Sequence, residues 1–149
     1  MNSMHADARE IPDSNPSGEE VQKLLREVRT IAVVGLSDRP DRDSHRVASY
    51  LQGQGYRIVP VNPSQTEILG EICYPDLASI PHPVDIVNIF RAVPVIPGIV
   101  EEALRIGAKA VWMQLGLCHN ASAQKARAAG LCVVQSRCLM VEHRRLIGP

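Results

Sequence analysis

T-I-A-V-V-G-L-S-D-R-P-D-R-D-S-H-R-V, residues 30–47, decides how the rest of the chain is read. Ile31, Ala32, Val33 and Val34 make a short, mostly β-branched apolar run, which predicts a strand buried on both faces in the middle of a parallel sheet. Gly35 ends the run at a position where a side chain would obstruct close backbone approach. A polar loop follows, and then Ser44, placed to cap a helix whose inward positions are Val47, Ala48 and Leu51. The helix start therefore faces the loop. Its unpaired N–H groups and the positive end of its dipole predict an anion site that suits a nucleotide diphosphate.

The dinucleotide fingerprint G-x-G-x-x-G, with an acidic residue roughly 20 residues on to bond a ribose, is absent. Ser37 and Pro40 stand in place of the second and third glycines, and the next strand, residues 57–61, ends in Asn62-Pro63. This argues against an NAD-type oxidoreductase and for a related ligand with different phosphate and ribose contacts.

Four segments carry a family resemblance: G-L-S-D-R-P-D-R-D-S-H-R-V (residues 35–47), G-Y-R-I-V-P-V-N-P (55–63), V-D-I-V-N-I-F-R (84–91) and V-W-M-Q-L-G (111–116). In order and approximate spacing they resemble the small single-domain CoA-binding proteins, a family similar to the nucleotide-binding N-terminal domain of the succinyl-CoA synthetase α subunit. The resemblance spans about residues 28–146. It implies a Rossmann-like fold and a coenzyme A or acyl-CoA ligand. Where that family often has proline, this chain has Asp43.

With 149 residues the chain is long enough for one α/β domain with a sizeable core. Sixteen basic and 16 acidic residues balance, so no overall field draws it to nucleic acid or to an anionic membrane, and phosphate recognition has to be local. The four cysteines form no C-x-x-C pair, and neither a secretion signal nor a membrane span is expected, which together read as a cytoplasmic protein.

Residues 1–16 lack periodicity and are expected as a flexible tail, with one domain over residues 17–149. Ser17 and Glu20 fit a capping box ahead of a helix carrying Val21, Leu24, Leu25 and Val28. After the central helix, Gly55 ends the turn and the second strand follows. Its Pro60 places that end at a sheet edge or just leaving the ladder. Asn62 reads either as an Asx-type turn or as a ligand contact. Residues 64–83 are an excursion between strands, and a third strand runs over residues 84–90. Phe90 and Arg91 then sit at its carboxyl end, where open parallel sheets bind ligands, although position alone leaves Arg91 equally readable as a surface ion pair.

Two further strands and three helices complete the chain, with Trp112 expected in the core, Asn120 capping a helix, and Leu139, Val141 and Leu146 facing inward on the last one. The whole predicts an α/β, doubly wound parallel sheet of about five strands in the order 3-2-1-4-5, with helices on both faces.

On the resemblance, the cofactor-binding residues are Gly35, Ser37, Arg42, Ser44, Asn62, Pro63, Phe90 and Arg91. Ser37 offers hydroxyl and N–H donors, Arg42 a forked cation and Ser44 a capping hydroxyl. Arg39 and Arg46 are further candidates for the 3′-phosphate, with Asp38, Asp41 and Asp43 offsetting the charge of the three loop-region arginines. Gln114 and Gly116 are candidates for lining. Cys138 is either an inert thiol or one placed to exchange with the CoA thiol. No residues with metal-ligand spacing or catalytic pattern stand out. The expected activity is binding of CoA or an acyl-CoA without catalysis. The alternative is the CoA-binding component of an acyl-CoA ligase or transferase that needs a partner subunit. A homo-oligomer is also open.

Overall fold

The computed structural model describes residues 10–148. The first helix, α1 (Gly18–Glu27), opens on the expected capping box: Glu20 N–H donates to Ser17 Oγ at 3.2 Å and Ser17 N–H to Glu20 Oε1 at 3.2 Å. The chain continues through β1 (Thr30–Val34), α2 (Asp43–Gly53) and β2 (Arg57–Val61). A small antiparallel hairpin, β3 (Glu67–Ile68) with β4 (Glu71–Ile72), and a 3-10 turn (Leu77–Ser79) lead to β5 (Ile86–Ile89). Then come a second 3-10 turn (Val93–Val95), α3 (Ile96–Arg105), β6 (Ala110–Met113), α4 (Asn120–Ala128), β7 (Cys132–Val134) and α5 (Leu139–Leu146).

Alternation along the strands builds two cores on one sheet. Ala32, Val34, Val87, Ile89 and Val111 face α3 and α4, while Ile31, Val33, Ile86, Trp112 and Val134 face α1, α2 and α5. The doubly wound α/β class is as expected, and Trp112 is fully buried with its indole N–H on the Arg137 carbonyl at 2.8 Å.

The strand order is not the expected 3-2-1-4-5. The five parallel strands run β2-β1-β5-β6-β7, so the third long strand lies between the first and the fourth, in the order 2-1-3-4-5. Pro60 explains why β2 is the edge. Its carbonyl accepts the Tyr74 N–H at 3.0 Å on the outer side, so the ring nitrogen also points outward and costs no bond to β1. The extended residues around Tyr74 cover that edge in place of a third strand, with Asn62 N–H donating to the Tyr74 carbonyl at 2.9 Å.

Three local expectations are also corrected. Residues 10–16 are tied down: Asn120 N–H meets Glu10 Oε1 at 2.6 Å, Arg127 bonds Asp13 and the Ser14 carbonyl, and the Asn15 amide pairs with both backbone groups of Gln135 beside edge strand β7. The rest of the expected tail, residues 1–9, lies outside the described residues. The cap of α4 is His119, whose Nδ1 accepts the Ser122 N–H at 3.2 Å, one residue before the predicted Asn120. On α5, Leu139 is buried but Val141 is half exposed, because positions two apart cannot share a helical face.

Strand β5 begins two residues later than predicted because Asp85 has another task. Its carboxylate accepts the Arg29 and Thr30 N–H groups at 2.9 and 3.0 Å and lies 3.4 Å from Lys109 Nζ, which pins the entry to β1. Burial alone would raise this carboxyl, but those bonds and the Lys109 charge outweigh it and hold it below the usual carboxylate range.

Candidate nucleotide site at the β1–β5 crevice

Neighbouring strands β1 and β5 send the chain to opposite sides: β1 leads through α2 to β2, and β5 through α3 to β6. Their carboxyl ends therefore open a crevice at the switch in strand order, where folds of this class bind ligands. The floor of the crevice is Gly35. It has φ +89°, and a Cβ there would lie 2.7 Å from the Phe90 carbonyl oxygen and 2.8 Å from Arg91 Cδ. Close approach is thus required, but the approaching backbone is that of β5. Gly35 N–H bonds the Val61 carbonyl and Phe90 N–H the Val34 carbonyl, both at 2.9 Å, so the glycine is clamped between two strand ends.

The loop after it is held by its own side chains. Ser37 N–H donates to Ser44 Oγ at 3.0 Å, Arg39 N–H to Ser37 Oγ at 3.1 Å, and Arg42 N–H to the Arg39 carbonyl at 3.1 Å. Ser44 is therefore not the cap of α2. It lies inside the first turn and is buried, while the N-cap is Arg42, whose side chain makes no capping bond. The first N–H groups of α2 are left without a side-chain partner, which leaves the anion-attracting end of the helix open. Asp43 is the first helical residue, a position where proline would lose no hydrogen bond, so either residue suits it.

Two adjoining cavities lie over these elements. One, of about 400 Å³, is lined by Gly35, Ser37, Arg42, Ser44 and Phe90. The other, of about 530 Å³, is lined by Phe90, Arg91, Gln114, Leu115, Cys138 and Met140, among others. They share Asp43 and Phe90, so the polar cavity adjoins the apolar one. Of the three aspartates expected to offset the arginines, only Asp43 forms a pair among the described residues, with Arg46, whose guanidinium also reaches the Asp41 carbonyl at 2.7 Å. Arg42 and Arg91 have no ion-pair partner among the described residues. The site thus holds two uncommitted cations beside an uncapped helix start.

Six of the eight predicted site residues, Gly35, Ser37, Arg42, Ser44, Phe90 and Arg91, line one or both cavities. Asn62 and Pro63 line neither. The Asn62 amide is spent on backbone: Nδ2 donates to the Leu36 carbonyl at 2.9 Å and Oδ1 accepts the Ser64 N–H at 2.8 Å, so it holds the glycine loop against the end of β2. Pro63 is exposed in the turn that follows. Gly116 gives its N–H to Ser136 Oγ at 3.1 Å. The apolar wall of Leu115, Leu117, Met140 and Val141 is not among the sequence expectations, which placed Val141 on the inward face of the last helix. Among the described residues no group of three or more His, Cys, Asp and Glu could hold a metal, and no helix is long and apolar enough to cross a membrane.

The family model described as CoA binding domain matches residues 29–144, a span that begins just before β1 and ends within α5. The chain belongs to this CoA-binding domain family. Within it, the chain is 43% identical over 129 residues to an uncharacterized protein of Bacillus subtilis, YneT, covering 87% of this chain and 96% of that protein. A hypothetical protein from Pyrococcus horikoshii of solved structure is 38% identical, with a TM-score of 0.88 over 95% of this chain and 99% of that one. An ADP-forming acetate–CoA ligase of Archaeoglobus fulgidus is 32% identical over 77 residues, which are 52% of this chain but only 11% of the ligase. The likeness thus runs over nearly the whole of one relative of about this length and over only a small part of the much larger ligase.

Proposed function

We propose that this protein binds coenzyme A or an acyl-CoA reversibly in the β1–β5 crevice. The observation that carries the reading is the junction of two unlike cavities at Phe90: a polar one under an open helix start with Arg42, and an apolar one with the exposed Arg91 in its lining. Coenzyme A has the matching halves. Its diphosphate suits the N–H groups of α2 and its 3′-phosphate an uncommitted arginine, while its long neutral pantetheine arm suits the Leu115–Met140 wall. An NAD reading has less support, because the position where a ribose-binding acid belongs is Asn62 and its amide is engaged by Leu36 and Ser64.

The test is a thermal-shift series with CoA, dephospho-CoA, acetyl-CoA, NAD and ATP. A ligand at about 100 times its dissociation constant adds roughly 2.7 kcal/mol, and each kcal/mol moves the midpoint of a domain of this size by roughly 2–4 °C. A shift with CoA that shrinks with dephospho-CoA and is absent with NAD supports the reading. No shift with CoA, or an equal one with NAD, rejects it. The second reading, a CoA-binding component that works with a catalytic partner subunit, draws on the likeness to a short part of the acetate–CoA ligase. Co-purification of a larger subunit, or acyl-CoA turnover by the isolated chain, would favour it over binding alone.

A further inference from the structure

Two groups in the apolar cavity are left unused by reversible nucleotide binding. Cys138 lines that cavity as the residue preceding α5, and its sulfur makes no capping bond to the helix. Gln114 lines the same cavity and is only 8% exposed. Its Oε1 accepts from Asn88 Nδ2 and from the Leu139 N–H, each at 3.4 Å, which fixes the carboxamide. Its Nε2 has no acceptor among the described residues, on a side chain that lines the cavity. A donor on a side chain that is nine-tenths buried gains from an acceptor that enters beside it. Carbonyl-bearing arms that end in sulfur supply both partners at once: an acceptor for Gln114 and a reactive atom for Cys138.

We propose that Cys138 is a covalent capture site in this cavity, where the sulfur end of a CoA-type thiol becomes joined to the protein as a mixed disulfide while Gln114 Nε2 bonds an amide carbonyl of the same arm. The proposal rests on the CoA reading above. The co-reactant is a symmetrical disulfide of the thiol. The Cys138 thiol gives its proton to solvent, and its sulfur attacks one sulfur of the disulfide. A new bond forms between Sγ and that sulfur, the original sulfur–sulfur bond breaks, and its electron pair leaves on the second thiol as a thiolate. Cys138 is oxidised and one half of the disulfide is reduced. Cys138 stands at the N-cap of α5, where the positive end of the helix dipole favours negative charge developing on sulfur. The other three cysteines do not compete: Cys73 and Cys118 are buried, burial pushes the thiols of Cys73, Cys118 and Cys132 up, and none of the three lines the cavity.

Intact-mass spectrometry of the reduced full-length protein, exposed in parallel to CoA disulfide and to cystamine, tests this, with peptide mapping of the wild type to locate the adduct. A thermal shift with reduced CoA runs alongside. Expected is one reducible CoA adduct on Cys138, formed about tenfold or more faster than the cystamine adduct because reversible docking raises the local concentration of the disulfide, and absent from Cys138→Ser. If reduced CoA shifts the midpoint but Cys138 stays unmodified, or reacts equally with cystamine, the capture site is refuted and the binding reading stands. If reduced CoA gives no shift and the two disulfides react alike, both are refuted.

Discussion

Gly35→Ala isolates the contact on which the crevice is built. The substitution has two costs. A non-glycine residue at φ +89° carries a backbone penalty of roughly 1–2 kcal/mol. The added methyl would also sit 2.7 Å from the Phe90 carbonyl oxygen, which belongs to a strand end and cannot swing aside as Arg91 Cδ can; forcing such a group into a packed site costs about 1–3 kcal/mol. Gly55→Ala is the control, because Gly55 has φ +99° and nothing lies within 4 Å of where its added methyl would stand, so it carries the first cost alone. Urea unfolding followed by circular dichroism should therefore place Gly35→Ala about 1–3 kcal/mol below Gly55→Ala. Because relief of the clash displaces Phe90, the residue shared by both cavities, Gly35→Ala should also lose the thermal shift with CoA. Equal destabilisation by the two substitutions, with CoA binding retained in both, would refute the claim that β1 and β5 require this close approach.

Arg42→Ala and Arg91→Ala should each weaken CoA about tenfold, the lower end for a bond to a charged group at an exposed site. Calorimetric titration checks this, and the arginine that meets the 3′-phosphate is the one whose loss affects CoA more than dephospho-CoA. Asp85→Asn should cost about 1–3 kcal/mol at neutral pH. Because the folded carboxyl lies below its free value of about 3.9, its contribution is full above that pH and is lost as pH falls through the folded value. The gap between wild type and variant in urea unfolding should accordingly close in strong acid. Burial holds the His143 imidazole below its ordinary value, against Tyr50 Oη at 2.8 Å from Nδ1. The unfolded chain therefore takes up the proton first, so stability should be full above about pH 6.5 and decline below it. His143→Phe should flatten that slope in thermal melts between pH 5 and 7, as checked by scanning calorimetry.

What was legible in the sequence is what a contiguous stretch can encode. The short, mostly β-branched run of residues 31–34 closed by Gly35 favours a doubly buried strand, and Val47, Ala48 and Leu51 set the inward face of the next helix, so strand, loop and helix follow from the stretch alone. Strand order is non-local, and it was misread although a local signal was present: a proline in β2 fits the edge of 2-1-3-4-5 and not the interior position that 3-2-1-4-5 would give it. The apolar cavity was the least legible part. Its wall joins Leu115 and Leu117 to Met140 and Val141 from a distant part of the chain, and neither segment has a pattern that announces a shared surface.

Ser44 and Asn62 show why residue type could not separate holding a loop from holding a ligand. Both chemistries need the same groups: a hydroxyl or amide placed within hydrogen-bond reach of backbone near a glycine turn. In this protein Ser44 receives the Ser37 N–H and Asn62 binds the Leu36 carbonyl, so each spends that capacity on the loop flanking Gly35. What these bonds produce is a rigid loop over an uncapped helix start. The groups left over for an anion are then the ones that nothing else engages among the described residues, the first N–H groups of α2 and the guanidinium groups of Arg42 and Arg91. On this division of labour, removing Asn62 should loosen the loop and lower stability before it touches any ligand, whereas removing Arg91 should touch the ligand alone.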